Sequence, residues 1–173
     1  MEMENMTRGH GWRFLDIGRR LERAINLMHL LQCSLAAQPW DAAMLEPLLE
    51  MADSSMTYRR RYFARPQLLP VLDLLLADAT NARALAFQLI ALSDHMQQLP
   101  RDPKAPSPTR EERLMARAVV TLREADLDEL RRPNESGQFP ALSDLLLSID
   151  EDLRELSDAI THFYFSHAQQ RVS

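Results

Sequence analysis

Glycine is scarce in this chain, with four in 173 residues. That is too few for the tight positive-φ turns on which hairpin-rich β architectures depend, so strands are not expected. Cysteine is scarcer still. Cys33 stands alone, which excludes a disulfide framework and a cysteine-built metal site. Set in an apolar helix, it reads as a small core filler. Lys104 is the only lysine, so almost every positive charge is an arginine, whose planar guanidinium suits bidentate pairing. The net charge of −5 lacks the basic excess of a nucleic-acid-binding domain. No apolar run reaches the roughly 18 residues of a membrane helix. The opening Met1-Glu2-Met3-Glu4 has no charged-then-apolar leader pattern, and a cytoplasmic location is expected.

Catalytic signatures are missing too. The histidines are His10, His29, His95, His162 and His167, and none follows a glutamate at the Glu-x-x-His spacing of di-iron bundles. The sequence has no His-Glu-x-x-His motif, no Gly-x-Ser-x-Gly and no glycine-rich phosphate loop. No metal site and no cofactor are expected.

What is present is helical periodicity. Phe14, Ile17, Leu21, Ala24, Met28, Leu31 and Leu35 recur in steps of three and four, an apolar stripe along a first helix of about residues 5–37. Trp12, Leu15 and Leu30 form a second apolar side, predicting a helix central in its bundle. A second helix is expected to run from Asp41, an N-cap, to just before Pro66. Its stripe is Leu45, Leu49, Ala52, Met56, Arg59 and Phe63, with Arg59 in the apolar register. Short leucine-rich 68–77 follows, then helices over about 82–99 and 110–131, and a last one carrying Leu142, Leu146, Ile149, Leu153, Leu156, Ile160 and Phe163. Thr109 with Glu112 reads as a capping box. Proline-rich loops are expected at 100–109 and 133–140, and the tail from 169 should fray. The expectation is one all-α domain over 1–173, an antiparallel helical bundle of about six helices.

Charge inside this pattern needs a reason. Gly18-Arg19-Arg20-Leu21-Glu22-Arg23-Ala24 puts Arg19, Glu22 and Arg23 on one side of the first helix. If that side is buried, the charges cost several kcal/mol unless paired, and Arg59 is the natural partner from another helix. A carboxylate between guanidiniums stays ionised and hydrogen-bonded, which favours an interhelical clamp over a general base. The alternative is a site for an anionic or peptidic ligand. Tyr58-Arg59-Arg60-Arg61-Tyr62 cannot form one basic patch, because successive helical residues point about 100° apart. Tyr58 and Tyr62 should lie near the polar cluster. Asn81 and Arg83, at a helix start, should cap and pair locally.

These residues also carry a resemblance. Gly18-Arg19-x-x-Glu22-Arg23-Ala24 resembles the Glu-Arg hallmark of the bacterial alpha-E family. So do Met6-Thr7-Arg8 leading to Gly11-Trp12-Arg13-Phe14-Leu15, Asp53 through Tyr62, and Val71 through Gln88. The family typically carries the helical unit as a tandem duplication, and this chain, showing the motif once, looks like the second half. The resemblance implies a setting beside circularly permuted ATP-grasp proteins and transglutaminase-like peptidases, in a system that makes or modifies peptides. It thereby implies a non-catalytic module that binds such a partner or its peptide. The alternatives are an enzyme of that system with Glu22 as acid/base, and a homodimeric scaffold.

Overall fold

The computed structural model describes residues 10–37, 39–99 and 107–165, with side chains for 11–37, 39–99 and 107–162. The expected helix start near residue 5, the Met6-Thr7-Arg8 stretch, most of the 100–109 loop, the Phe163 side chain, His167 and the tail lie outside these described residues. Within them the chain is all-helical and has no strand, in keeping with its few glycines.

Eight α-helices stand where about six were expected. They are α1 His10–Leu31, α2 Leu45–Met51, α3 Ser55–Tyr62, α4 Leu68–Leu72, α5 Leu85–Gln97, α6 Arg110–Arg123, α7 Leu127–Leu130 and α8 Pro140–Phe165. Two expected helices are each divided. The first division is at Asp53, whose φ of 50° is left-handed, a conformation Asp tolerates better than most residues. The Ser54 amide there donates back to the Leu49 carbonyl at 2.8 Å. The second is at Asp126, whose side chain accepts from the Asp128 amide at 2.8 Å and so starts α7 as a separate turn.

The corner at Asp53 resets the helical phase. A stripe drawn straight from Leu45 to Phe63 therefore fails in its second half. Leu45 and Leu49 are buried, but Met56 and Arg59 are exposed and Phe63 is 88% exposed. Tyr58 takes the inward position instead, at 1%.

Other boundaries match their local chemistry. Asp41 accepts from the Ala43 amide at 2.8 Å, capping a 3-10 turn that leads into α2. Thr109 and Glu112 form the reciprocal capping box of α6. At 133–140, Asn134 accepts from the Ser136 and Gln138 amides, each at 2.9 Å. The Gly137 carbonyl accepts from the Trp40 amide at 2.7 Å, which ties this loop to the one after α1.

α1 packs on α5 and α8, and α6 packs on α5 and α8, so each long helix has two long neighbours. The buried side chains form one cluster drawn from all eight helices. α1 continues into a wider π-helical stretch at Gln32–Ala36, where Ser34, Leu35 and Ala36 are buried. Cys33 is exposed, not a core filler, because the inward positions of that turn are taken by the residues after it. Of the second apolar side, Leu15 is 41% exposed, while Leu30 packs partly buried on the core and Trp12 is half-buried. No helix among the described residues is long and apolar enough to cross a membrane.

Candidate functional site

Ile17, Leu21, Ala24, Met28 and Leu31 occupy the inward face of α1. Residues 19, 22, 23 and 26 fall on another face, and Arg19, Glu22, Arg23 and Asn26 are all exposed. The internal lattice of Arg19, Glu22, Arg23 and Arg59 is therefore not formed. Water solvates these charges at far lower cost than a buried arrangement would impose. Among the described residues, no hydrogen bond or ion pair engages the side chains of Arg19, Glu22, Arg23 or Arg59. The stripe is a row of solvent-facing charges.

The arginine that does turn inward is Arg20. Its Nε donates to Asp16 Oδ2 at 3.2 Å, its Nη1 donates to Gln88 Oε1 at 3.3 Å, and its guanidinium lies 5.3 Å from the Phe87 ring centre. His95 Nε2 meets the same Asp16 oxygen at 2.7 Å, and Trp12 packs edge-on to the His95 ring at 5.7 Å. Gln88 donates onward to the Ala82 carbonyl at 2.6 Å. Burial pushes the Asp16 carboxyl up, but the His95 hydrogen bond and the Arg20 guanidinium outweigh it and hold it below its ordinary value. The spacing 12, 16, 20, three positions on one helical row, is the signal that could have exposed this network.

Tyr58 and Tyr62 stack 4.7 Å apart at a tilt. Tyr58 is a structural anchor: its hydroxyl accepts from the Gln67 amide at 3.1 Å and donates to the Arg65 carbonyl at 3.4 Å. Tyr62 donates to Asp73 Oδ2 at 3.2 Å. Burial, followed by the Asp73 carboxylate, raises its pKa against the pull of Arg61. Arg61 pairs with Asp78 and reaches Thr80. Burial raises the Asp78 carboxyl, while the Thr80 hydroxyl and amide and then Arg61 lower it further, to a net depression.

Asn81 bonds locally but does not cap the helix, because α5 starts only at Leu85 behind Ala84, without a side-chain cap. Its Oδ1 accepts from the Arg83 amide at 3.1 Å and its Nδ2 donates to the buried Leu74 carbonyl at 2.9 Å. Arg83 does not pair locally; its guanidinium reaches back to Asp53 at the α2–α3 corner. Also unforeseen is Asp152, buried on α8 and held by Arg117 of α6 through Nε at 2.7 Å.

Two grooves gather the predicted residues. One, of about 320 Å³, brings Arg23 and Asn26 of α1 together with Met51, Asp53 and Arg83. The other, of about 330 Å³, holds Tyr58 and Arg59 with Glu46, Phe63 and Arg65. Arg23 and Arg83 thus share a site, and Arg59 belongs to a different one. Arg19 and Glu22 lie on the α1 row that leads to the first groove. No group of three or more His, Cys, Asp or Glu side chains among the described residues is placed to hold a metal ion.

The family model for a predicted alpha-helical domain with a conserved ER motif, Alpha-E, matches residues 1–165. Uncharacterized proteins of Mycobacterium bovis and of two Mycobacterium tuberculosis strains are each 34% identical to the chain over 161 residues. The aligned part is 91% of this chain and 18% of each relative, so the chain spans less than a fifth of their length. No solved structure matches it. An all-helical chain with Glu22-Arg23 on its first helix, matched by that model from residue 1 to residue 165, belongs to the Alpha-E family.

Proposed function

We propose that this chain is a non-catalytic interaction module, its eight helices packed as an antiparallel bundle. It docks onto a circularly permuted ATP-grasp protein or a transglutaminase-like protein in the cytoplasm, within a system that makes or modifies peptides. The observation that carries the reading is the solvent-facing row Arg19, Glu22, Arg23 and Asn26, with no partner among the described residues. Exposed guanidiniums aligned along a helix suit recognition of another polypeptide, because rim charges steer and orient a partner. Relatives more than five times longer than the aligned segment, as an 18% share requires, offer polypeptide for such a row to meet.

The enzyme reading assigns Glu22 as acid/base. A general acid or base works best in a site that excludes water and positions the substrate proton, and Glu22 stands exposed on a helix surface. A homodimer is the third reading, favoured by the exposed Ile90 and Val120, which share a groove between α5 and α6.

Co-expression of the chain with each type of partner from its own genome, followed by size-exclusion with light scattering, tests the proposal. A hetero-complex is expected with one of them, lost on Arg19→Glu/Arg23→Glu and kept by Glu22→Gln. No complex with either protein overturns it. A complex that persists in Glu22→Gln while the pathway product disappears transfers the assignment to the enzyme reading. A dimer of the chain alone, dissociated by Val120→Glu, transfers it to the homodimer.

A further inference from the structure

The groove beneath the α1 row holds an unusual charge arrangement. Arg23 enters it from α1 and Arg83 from the turn before α5, with the Asn26 amide beside them. One carboxylate, Asp53, answers both guanidiniums, and it pairs only with Arg83. Two cations against one anion leave an excess positive charge. Asp53 is a loose occupant, since its side chain is 75% exposed and sits on a left-handed corner residue. An exposed pair of this kind is weak and readily exchanged. Leu30 and Met51, the latter 58% exposed, add apolar lining to the same groove. Methionine in such a lining adapts to varied side chains.

From this we infer that the groove binds an extended peptide segment of the partner carrying an aspartate or glutamate side chain next to an apolar residue. The incoming carboxylate meets Arg23 and displaces Asp53 from Arg83, and the apolar side chain lies on Leu30 and Met51. Asp53 is then an internal stand-in for the ligand, a competing carboxylate that keeps Arg83 oriented while the groove is empty. The volume of about 320 Å³ is at the small end of ligand sites, which run from roughly 300 Å³ upward. It fits a short linear segment better than a folded element. The inference rests on the docking reading and names what the partner presents.

The test is an amide-resolved NMR titration of the whole chain with acetyl-Ala-Asp-Leu-Ala-amide, against the same peptide with Asn in place of Asp. Shifts at Asn26, Asp53 and Arg83 are expected with the Asp peptide, and binding about tenfold weaker with the Asn peptide, because charge-assisted bonds are lost. Arg23→Ala and Arg83→Ala should each weaken binding by about tenfold on the same grounds. Asp53→Asn should strengthen it several-fold by removing the competitor; asparagine tolerates the left-handed corner, so the fold is kept. Absence of groove shifts, equal affinity for the two peptides, weaker binding by Asp53→Asn, or equal saturation by inorganic phosphate alone would each overturn it. Peptide binding without a hetero-complex leaves this inference standing and removes the docking reading. A complex without peptide binding does the reverse.

Discussion

A phenol hydroxyl carried into a core is costly unless its hydrogen-bonding capacity is used. Tyr58, 1% exposed, uses both roles on the chain between α3 and α4, accepting from the Gln67 amide and donating to the Arg65 carbonyl. The tyrosine therefore fixes where α4 begins. Tyr58→Phe keeps the ring and removes the hydroxyl, leaving the Gln67 N–H without that acceptor, which costs about 1–3 kcal/mol. A urea titration should show a lower midpoint with an unchanged slope; an unaltered midpoint would mean that the bond contributes nothing in solution. The sequence places Tyr58 near a functional cluster because it flanks three arginines. Its role as an anchor depends on the phase reset at Asp53, which no periodicity in residues 45–63 reports.

At the level of the element, the two described glycines away from chain starts behave oppositely. Gly18 lies within α1, and a Cβ built on it meets nothing within 4 Å. No neighbouring helix approaches closely there, contrary to the usual reason for a helical glycine. Gly18→Ala should then stabilise the protein by up to about 1 kcal/mol through helix propensity. Gly137 has a φ of +74° and holds the turn whose carbonyl receives the Trp40 amide. Gly137→Ala should cost about 1 kcal/mol, because a side chain is strained in that region. For a chain of this length the expected shifts in melting temperature are about 2–4 °C upward and downward respectively, read by circular dichroism. A fall in Gly18→Ala would reveal a close approach by a partner not present in the isolated chain. These cases mark what is legible locally. The apolar faces of α1, α5 and α8, the Asp41 cap and the Thr109–Glu112 box follow from spacing and side-chain chemistry. The corners at Asp53 and Asp126 do not, because each is a polar residue that fits a helix surface as well as a break.

Across the whole molecule, the candidate site was half legible. Sequence spacing put Arg19, Glu22 and Arg23 on one face, but which face the core takes is settled by neighbouring helices, and it takes the other. The inward polar role falls to Asp16 and Arg20, whose partners His95 and Gln88 lie on α5, far along the chain. That network joins two of the four long helices, and Asp78 with Arg61 joins α3 to the turn before α5. Both carboxylates titrate below their ordinary value in the folded protein. A depressed folded pKa means that the unfolded chain binds protons first as the pH falls. Their contribution is therefore complete above the unfolded aspartate pKa, about 3.9, and is lost as the pH drops from there through the folded values. Trp12, against His95, and Trp40, 5.7 Å from the Phe139 ring, report on separate parts of the single core. Melting followed in Trp12→Phe and Trp40→Phe variants should be flat with respect to these groups above about pH 4.5 and should fall below it. The two signals should descend together if the eight helices unfold as one unit. Asp16→Asn, lacking the titrating carboxylate, should melt lower near neutral pH, and its gap to the parent should narrow as the pH falls below the ordinary aspartate value and the parent Asp16 takes up its proton. A gap that does not narrow as the pH falls would show that the substitution acts through packing and not through the charge, and separate descents would divide the core into independent parts.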